Sequence, residues 1–348
     1  MRVSVVKPSL FWNIFNADEK LIKCNICERN CTIKPGMTGF CGNYLNVNGE
    51  LYNIGYGLIS AIEPRPIEIK PLFHYYPGSW SLTFSSWSCN FKCPWCQNYH
   101  LSMVKPREEY SLKLEPRDLV FKAIEYEQDG LCASFNEPCI QPEFLIDVGY
   151  EARNYKLYLS IVTNGYMTKS VLEKLIEAGY TGFSIDIKGC PETYRKYLGA
   201  NPEIIYRNAK YIIDNSCHVE MVYLVIPRVN DWEDCYKWII EKHVEYLGLE
   251  TPLHINRYYP AYRFNEPPTP IDKLIEIRDY AKREGLEYVY IGNTIYEEYQ
   301  DTVCPKCGKV LITRRGYSLV DYRLTSENKC PKCGHKIPIF GEPRLKYK

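Results

Sequence analysis

From residue 79 to residue 294 the chain repeats one alternation, a short β-rich run followed by a stretch of helical period. The runs are SLTFSSW (81–87), LCASF (131–135), LYLSIVT (157–163), FSIDI (183–187), VEMVYLVIP (219–227), LHINRYY (253–259) and YVYIG (288–292). Helical stretches fall between them at 116–128, 143–156, 169–179, 203–215, 231–248 and 271–285. In the third of these, Val171, Leu172, Leu175 and Ile176 recur on one face, and Gly179 supplies a stop. Such alternation implies parallel strands joined by right-handed crossovers. Six units fall short of the eight that close a full barrel. The expectation is an α/β fold, either a partial (β/α)6 barrel of TIM type or a strongly curved sheet. Its chemistry should collect at the C-terminal ends of the strands.

Two stretches without regular period flank this block, so three parts are expected: a cysteine-rich segment (1–78), the barrel (79–300) and a lysine-rich C-terminal segment (301–348). Lys plus Arg is 43 against 42 for Asp plus Glu, so no global field draws the protein to polyanions. The first twenty residues hold neither the apolar core nor the small-residue cleavage site of a signal peptide. No apolar run approaches the roughly 20 residues of a membrane helix. A soluble, cytoplasmic protein is expected, without a membrane partner. The 31 tyrosines are spread evenly rather than interleaved with basic runs. They read as packing, and a nucleic-acid partner is not expected.

Sixteen cysteines in such a chain call for a purpose other than disulfides, which would imply an oxidising compartment. Eleven form three tight groups; Cys132, Cys139, Cys190, Cys217 and Cys235 are scattered and read as packed thiols, with room for one disulfide among them. The C-terminal group pairs Cys304 with Cys307 and Cys330 with Cys333, in two copies of the knuckle CPKCG that bracket an apolar hairpin. Four thiolates on two knuckles make a closed zinc ribbon, the alternative being a pair of redox dithiols. The N-terminal group, Cys24, Cys27, Cys31 and Cys41, must wrap a single ion or cluster. Zinc is preferred there over an auxiliary iron–sulfur cluster, since all-thiolate sets accept both.

The middle group differs in number. CNFKCPWC holds Cys89, Cys93 and Cys96, directly after the first strand, with no fourth cysteine nearby. Three thiolates can hold three irons of a [4Fe–4S] cluster and leave the fourth iron open. The amino and carboxylate groups of S-adenosylmethionine can chelate that iron. The alternative is a zinc site completed by a distant residue such as His100.

This motif, including Trp95 before its third cysteine, resembles that of the radical S-adenosylmethionine (radical SAM) superfamily. Its extension CQNYHLS resembles the pyruvate formate-lyase-activating-enzyme-like branch, and most closely the radical SAM proteins of the AmmeMemoRadiSam system. The resemblance covers nearly the whole chain. It implies that Asn136 and Glu137 in FNEPCIQP bind the S-adenosylmethionine amino group, with Pro138 shaping the turn. It further implies that Thr163 and Asn164 reach the ribose or carboxylate, and that VIPRVND borders adenine. Asp186 and Lys188 resemble residues facing cofactor or substrate, and Lys188 joins the cysteine triad as a catalytic candidate. Relatives usually carry His-Pro where this chain has Tyr259-Pro260, so Tyr259 would have to supply any contact there. Cys139 stands where relatives tend to have threonine, and reads as a packed residue rather than a hydrogen-atom donor.

The implied activity is reductive cleavage of S-adenosylmethionine, fed by a low-potential electron donor. The 5′-deoxyadenosyl radical would abstract hydrogen from a partner protein, as in glycyl-radical activation, or from a small molecule or peptide. The alternative is a zinc-stabilised RNA- or protein-binding module without radical chemistry, against which the neutral charge and the three-cysteine loop both count.

Overall fold

Apolar runs bounded by turn residues become strands along the whole central block. The computed structural model describes residues 7–344. Its principal strands are β1 (Ala61–Pro66), β2 (Trp80–Ser85), β3 (Gly130–Ala133), β4 (Tyr158–Thr163), β5 (Tyr180–Ile187), β6 (His218–Val225), β7 (Leu253–Arg257) and β8 (Val289–Gly292). The helices between them are α1 (Pro116–Glu125), α2 (Pro142–Ala152), α3 (Lys169–Glu177), α4 (Glu203–Asp214), α5 (Glu233–Leu247) and α6 (Ile271–Arg283). By contact the chain parts into two units: residues up to Pro64 with Ser81–Thr181, and Arg65–Trp80 with the chain from Gly182 onward.

In the first unit β1 to β4 are neighbours in sequence order. β2, β3 and β4 run parallel, with Leu82, Leu131 and Leu159 in register. All four residues of β3 are buried, as expected of a strand covered on both faces. α3 buries Val171, Leu172 and Leu175 and ends before Gly179, whose φ of 105° favours glycine. The segment before β1, irregular by sequence, forms two three-stranded antiparallel sheets. One joins Trp12–Asn16, Leu21–Cys24 and Thr32–Ile33; the other joins Lys7–Pro8, Glu50–Asn53 and Tyr44–Val47. Strands of two to five residues are too short to show a period, so they leave no sign in the amino-acid pattern.

A buried carboxylate fastens these sheets to α2. Glu143 accepts hydrogen bonds from Ser9 Oγ (2.7 Å), Tyr44 Oη (2.6 Å) and Asn53 Nδ2 (3.0 Å). Asn53 and Asn43 both bond Gln141, at 2.9 and 2.6 Å. A charge this deep is tolerated because its oxygens are fully engaged.

In the second unit β5 to β8 are neighbours in order and parallel throughout. The last segment forms an antiparallel sheet of Thr302–Val303, Val310–Arg315 and Ser318–Tyr322. It shares a core with β8, in which Tyr288 and Tyr290 pack with Cys304, Leu311, Ile312 and Cys330. A chain of buried hydrogen bonds runs alongside. Glu220 on β6 meets His218 (2.9 Å), His254 (2.7 Å) and the backbone N–H of His74 (2.7 Å). The other nitrogens of His74 contact Tyr290 Oη (2.6 Å) and Pro338 O (3.1 Å). Tyr290 bonds Thr302, and Thr302 accepts from the fully buried Arg314, which also donates to Phe73 O. Among the described residues no helix is long and apolar enough to cross a membrane.

Burial holds His74 near a pKa of about 3, with the Glu220 charge opposing the shift. Below the unfolded value of roughly 6.5 the unfolded chain takes up a proton that the folded chain refuses, so stability falls with pH toward the folded value. Between pH 6.5 and 5 the wild type should lose on the order of 2 kcal/mol more than a His74→Gln variant. Thermal unfolding of both proteins across that range checks this; parallel pH profiles would contradict it.

Candidate functional site

The parallel strands of the first unit end in backbone that leaves the ordinary regions. Ser88, three residues past β2, has φ 72°, and Phe135, two residues past β3, has φ 68°. For a residue as bulky as Phe this costs on the order of 1–3 kcal/mol and persists only where the surroundings enforce it. Here a side chain does so. Asn136 accepts from Ser86 N (3.2 Å) and donates to Ser86 Oγ (3.0 Å) and Ser88 O (2.9 Å), tying the exit of β3 to that of β2. Asn98 completes the clamp by donating to Phe135 O at 2.8 Å.

The cysteine loop starts at that clamp. Cys89 and Cys96 are partly exposed and Cys93 is buried, as is Trp95. Cys89 Sγ receives the Phe91 N–H at 3.3 Å and Asn164 Nδ2 at 3.7 Å. Burial pushes its thiol well above the ordinary range, with Glu137, Cys93 and Cys96 adding to the shift, so the three cysteines sense one another's charge. Among the described residues only Cys304, Cys307, Cys330 and Cys333 bring three or more ligand atoms within 4.8 Å of one another. No fourth ligand therefore closes the triad at single-ion spacing, and His100 is an exposed residue of the short helix Tyr99–Ser102. Three thiols on one loop, spread wider than one ion requires and with no fourth, suit three irons of a four-iron cluster.

Glu137 is 2% exposed, and both its oxygens are bonded within the chain. Oε1 accepts from Thr163 Oγ1 (2.7 Å) and Cys139 N (3.0 Å), and Oε2 from Asn164 N (2.7 Å). Burial raises its pKa and these donors pull it back. Asn164 Nδ2 then bonds Asn90 Oδ1 at 2.7 Å, next to Cys89. The sequence-predicted Asn136, Glu137, Thr163 and Asn164 thus converge with the cysteine loop at the exits of β2, β3 and β4. Two further residues belong here. Asn90 lies inside the cysteine motif, but nothing about its type marks it among the thiols. Cys139, fully buried, receives Asn90 Nδ2 at 3.8 Å.

In the second unit the strand ends carry their own polar groups. Lys188, just after β5, forms an ion pair with Asp186 at 2.7 Å, and both are largely shielded. Asn230 fixes the turn after β6 by bonding Ile226 N, Leu224 O and Lys188 O. Tyr259, 48% exposed, donates to Asn293 O at 3.1 Å. Positive φ recurs at Arg228 and Asn293, again past strand ends. In the C-terminal segment Cys304–Cys333 and Cys307–Cys330 approach to 3.6 Å.

The chain is similar to several known proteins. Residues 87–239 match the family model described as the radical SAM superfamily. An uncharacterized protein of Methanocaldococcus jannaschii, MJ0808, is 39% identical over 325 residues, spanning 92% of this chain and 96% of its own. Another protein of that organism, MJ1227, carries the name of a glycyl-radical enzyme activating enzyme and is 26% identical over 237 residues, 65% of this chain and 92% of its own. A domain of pyruvate-formate lyase-activating enzyme from Bacteroides vulgatus aligns in structure at a TM-score of 0.41 with 18% identity, over 47% of this chain and 99% of that one. With an open three-cysteine loop at the strand ends and a relative of this identity along nearly its full length, the chain belongs to the radical SAM superfamily and is an enzyme.

Proposed function

We propose that the chain cleaves S-adenosylmethionine reductively and directs the resulting hydrogen abstraction at a partner protein or a small peptide-like substrate. The observation that carries this reading is a relay of hydrogen bonds, from Thr163 and Asn164 on Glu137 and from the Asn164 side chain on Cys89 and Asn90, with Asn136 bonding Ser88 at the loop entry. Cys89, Cys93 and Cys96 would hold a [4Fe–4S] cluster, which would supply the electron for reductive cleavage of S-adenosylmethionine. The chain's own residues do the positioning. Asn136 holds the loop entry, Glu137 fixes the turns after β3 and β4 and presents negative charge to the amino group, and Trp95 walls the loop. Thr163 and Asn164 meet the ribose or carboxylate. In the second unit we assign Asp186, Lys188 and Tyr259 to the cofactor or substrate, with Lys188 able to hold or move a proton. The name of MJ1227 supports a partner-protein substrate, in the manner of glycyl-radical activation, and the donor is a low-potential one-electron carrier.

We also read the strands as a partial (β/α)6 barrel and the last four cysteines as a zinc ribbon. Thiolates about 2.3 Å from one tetrahedral ion stand roughly 3.8 Å apart, close to the sulfur separations seen there.

Protein purified without oxygen, reconstituted with iron and sulfide and reduced with dithionite should form 5′-deoxyadenosine from S-adenosylmethionine, and Cys93→Ala should form none. A colourless, zinc-only protein without this product would overturn the reading in favour of a binding module. Glu137→Gln should cut the rate by roughly 10- to 100-fold and lower stability by about 1–3 kcal/mol. Its amide turns one donor against the Thr163, Asn164 and Cys139 donors, each of which needs an acceptor. Unchanged melting and turnover in that variant would show that Glu137 has no such role.

A further inference from the structure

The first four cysteines are brought together by the two small sheets of the N-terminal segment. Cys24 ends the strand Leu21–Cys24 and its N–H bonds Cys31 O at 2.9 Å. Cys27 and Cys31 lie in the connection to Thr32–Ile33, and Cys41 lies in the turn before Tyr44–Val47. All four line one pocket of about 330 Å³, partly open to solvent, walled by Ile26, Phe40, Tyr44 and Ile140. Burial pushes the thiols of Cys24, Cys27 and Cys41 up, and the backbone N–H groups of Ile26, Arg29 and Asn43 oppose that shift. The guanidinium of Arg29, over the Phe40 ring at 3.8 Å, and the Lys92 ammonium place positive charge beside them.

The three cysteine groups differ in how tightly their sulfurs gather. Those of Cys304, Cys307, Cys330 and Cys333 lie within 4.8 Å of one another, as ligands of one ion must. No three of the N-terminal group do, and neither does the Cys89 triad. Ligands of a polynuclear cluster sit on different irons and must stand farther apart than ligands of one ion. The N-terminal set therefore shares the wide spacing of the triad and not the tight spacing of the ribbon. Sequence spacing put zinc first at this site; the absence of these sulfurs from the single-ion groups found among the described residues favours a cluster.

We infer that Cys24, Cys27, Cys31 and Cys41 hold a second iron–sulfur cluster, a four-thiolate [4Fe–4S] centre adjoining the Cys89 loop. The joint is direct. Asn90 lines the N-terminal pocket beside Cys27 and donates to Tyr166 O at 3.4 Å, while its backbone continues from Cys89. Arg29 donates to Asn90 O, Cys27 bridges to Met167, and Glu28 N donates to Tyr166 O at 3.3 Å. The four-cysteine centre and the open triad thus share one wall.

The test uses the full chain, expressed with iron and zinc both available and reconstituted without oxygen, in three forms. Wild type should hold about eight irons and one zinc per chain. A Cys89→Ala, Cys93→Ala, Cys96→Ala triple variant should keep about four irons, matching inorganic sulfide and the Mössbauer signature of a four-iron centre. A Cys27→Ser, Cys41→Ser variant should lose that centre and keep the iron of the triad. An iron-free triple variant with about two zincs per chain overturns the inference and leaves the radical SAM reading intact. An iron-free N-terminal variant challenges the radical SAM reading instead. Where the N-terminal variant fails to fold, the triple variant alone decides, because its substitutions leave Cys24, Cys27, Cys31 and Cys41 in place.

Discussion

A carboxylate sealed from water must be surrounded by donors, and Glu137 meets this demand by collecting Thr163, Asn164 and Cys139 around its two oxygens. The geometry of the first unit's strand ends depends on that collection. With the Asn164 backbone fixed on Glu137, its side chain is free to hold Asn90, and through Asn90 the cysteine loop is set in place. Asn136, one residue earlier, holds Phe135 and Ser88 in conformations neither would adopt unaided. The strain of those two turns is thus offset by hydrogen bonds between neighbouring strand ends, which fix the entry to the loop that presents the thiols.

Much of this arrangement is legible in the amino acids. The strands after residue 79 show themselves because a buried parallel strand is a continuous apolar run, and the helices between them because one face repeats every three or four residues. Cys89, Cys93 and Cys96 are legible because thiols at such spacing have few other uses. The Glu143 and Glu220 networks are not legible. Ser9 and Glu143 are 134 residues apart, and His74 and Glu220 are 146 apart, so no local pattern links them. Asn90 is hidden for another reason: an asparagine between cysteines looks like loop filler until its partners are seen. The sheets before residue 54 escaped because their strands are too short to carry a period.

The two ends of the chain use their polar residues differently. In the second unit, hydrogen bonds among His74, Tyr290, Thr302 and Arg314 tie the sheet to the C-terminal segment, and a shared apolar core joins β8 to Cys304 and Cys330. In the first unit the N-terminal cysteine segment reaches the Cys89 loop through Asn90 and the Tyr166–Thr168 backbone. One cysteine group therefore buttresses a sheet, while the other forms part of the wall of the site.

The long separation between Ser9 and Glu143 also has a meaning in time. A ribosome adding roughly 5–20 residues per second needs about 7–27 s to make the stretch between them. Throughout that interval the two small sheets have no α2 to dock on, and their cysteines stand outside any protein interior. The nascent segment is then a set of reactive thiols open to metal, oxidant or a delivery protein. What reaches those thiols first is settled by the redox state of the compartment during synthesis, before the rest of the enzyme exists.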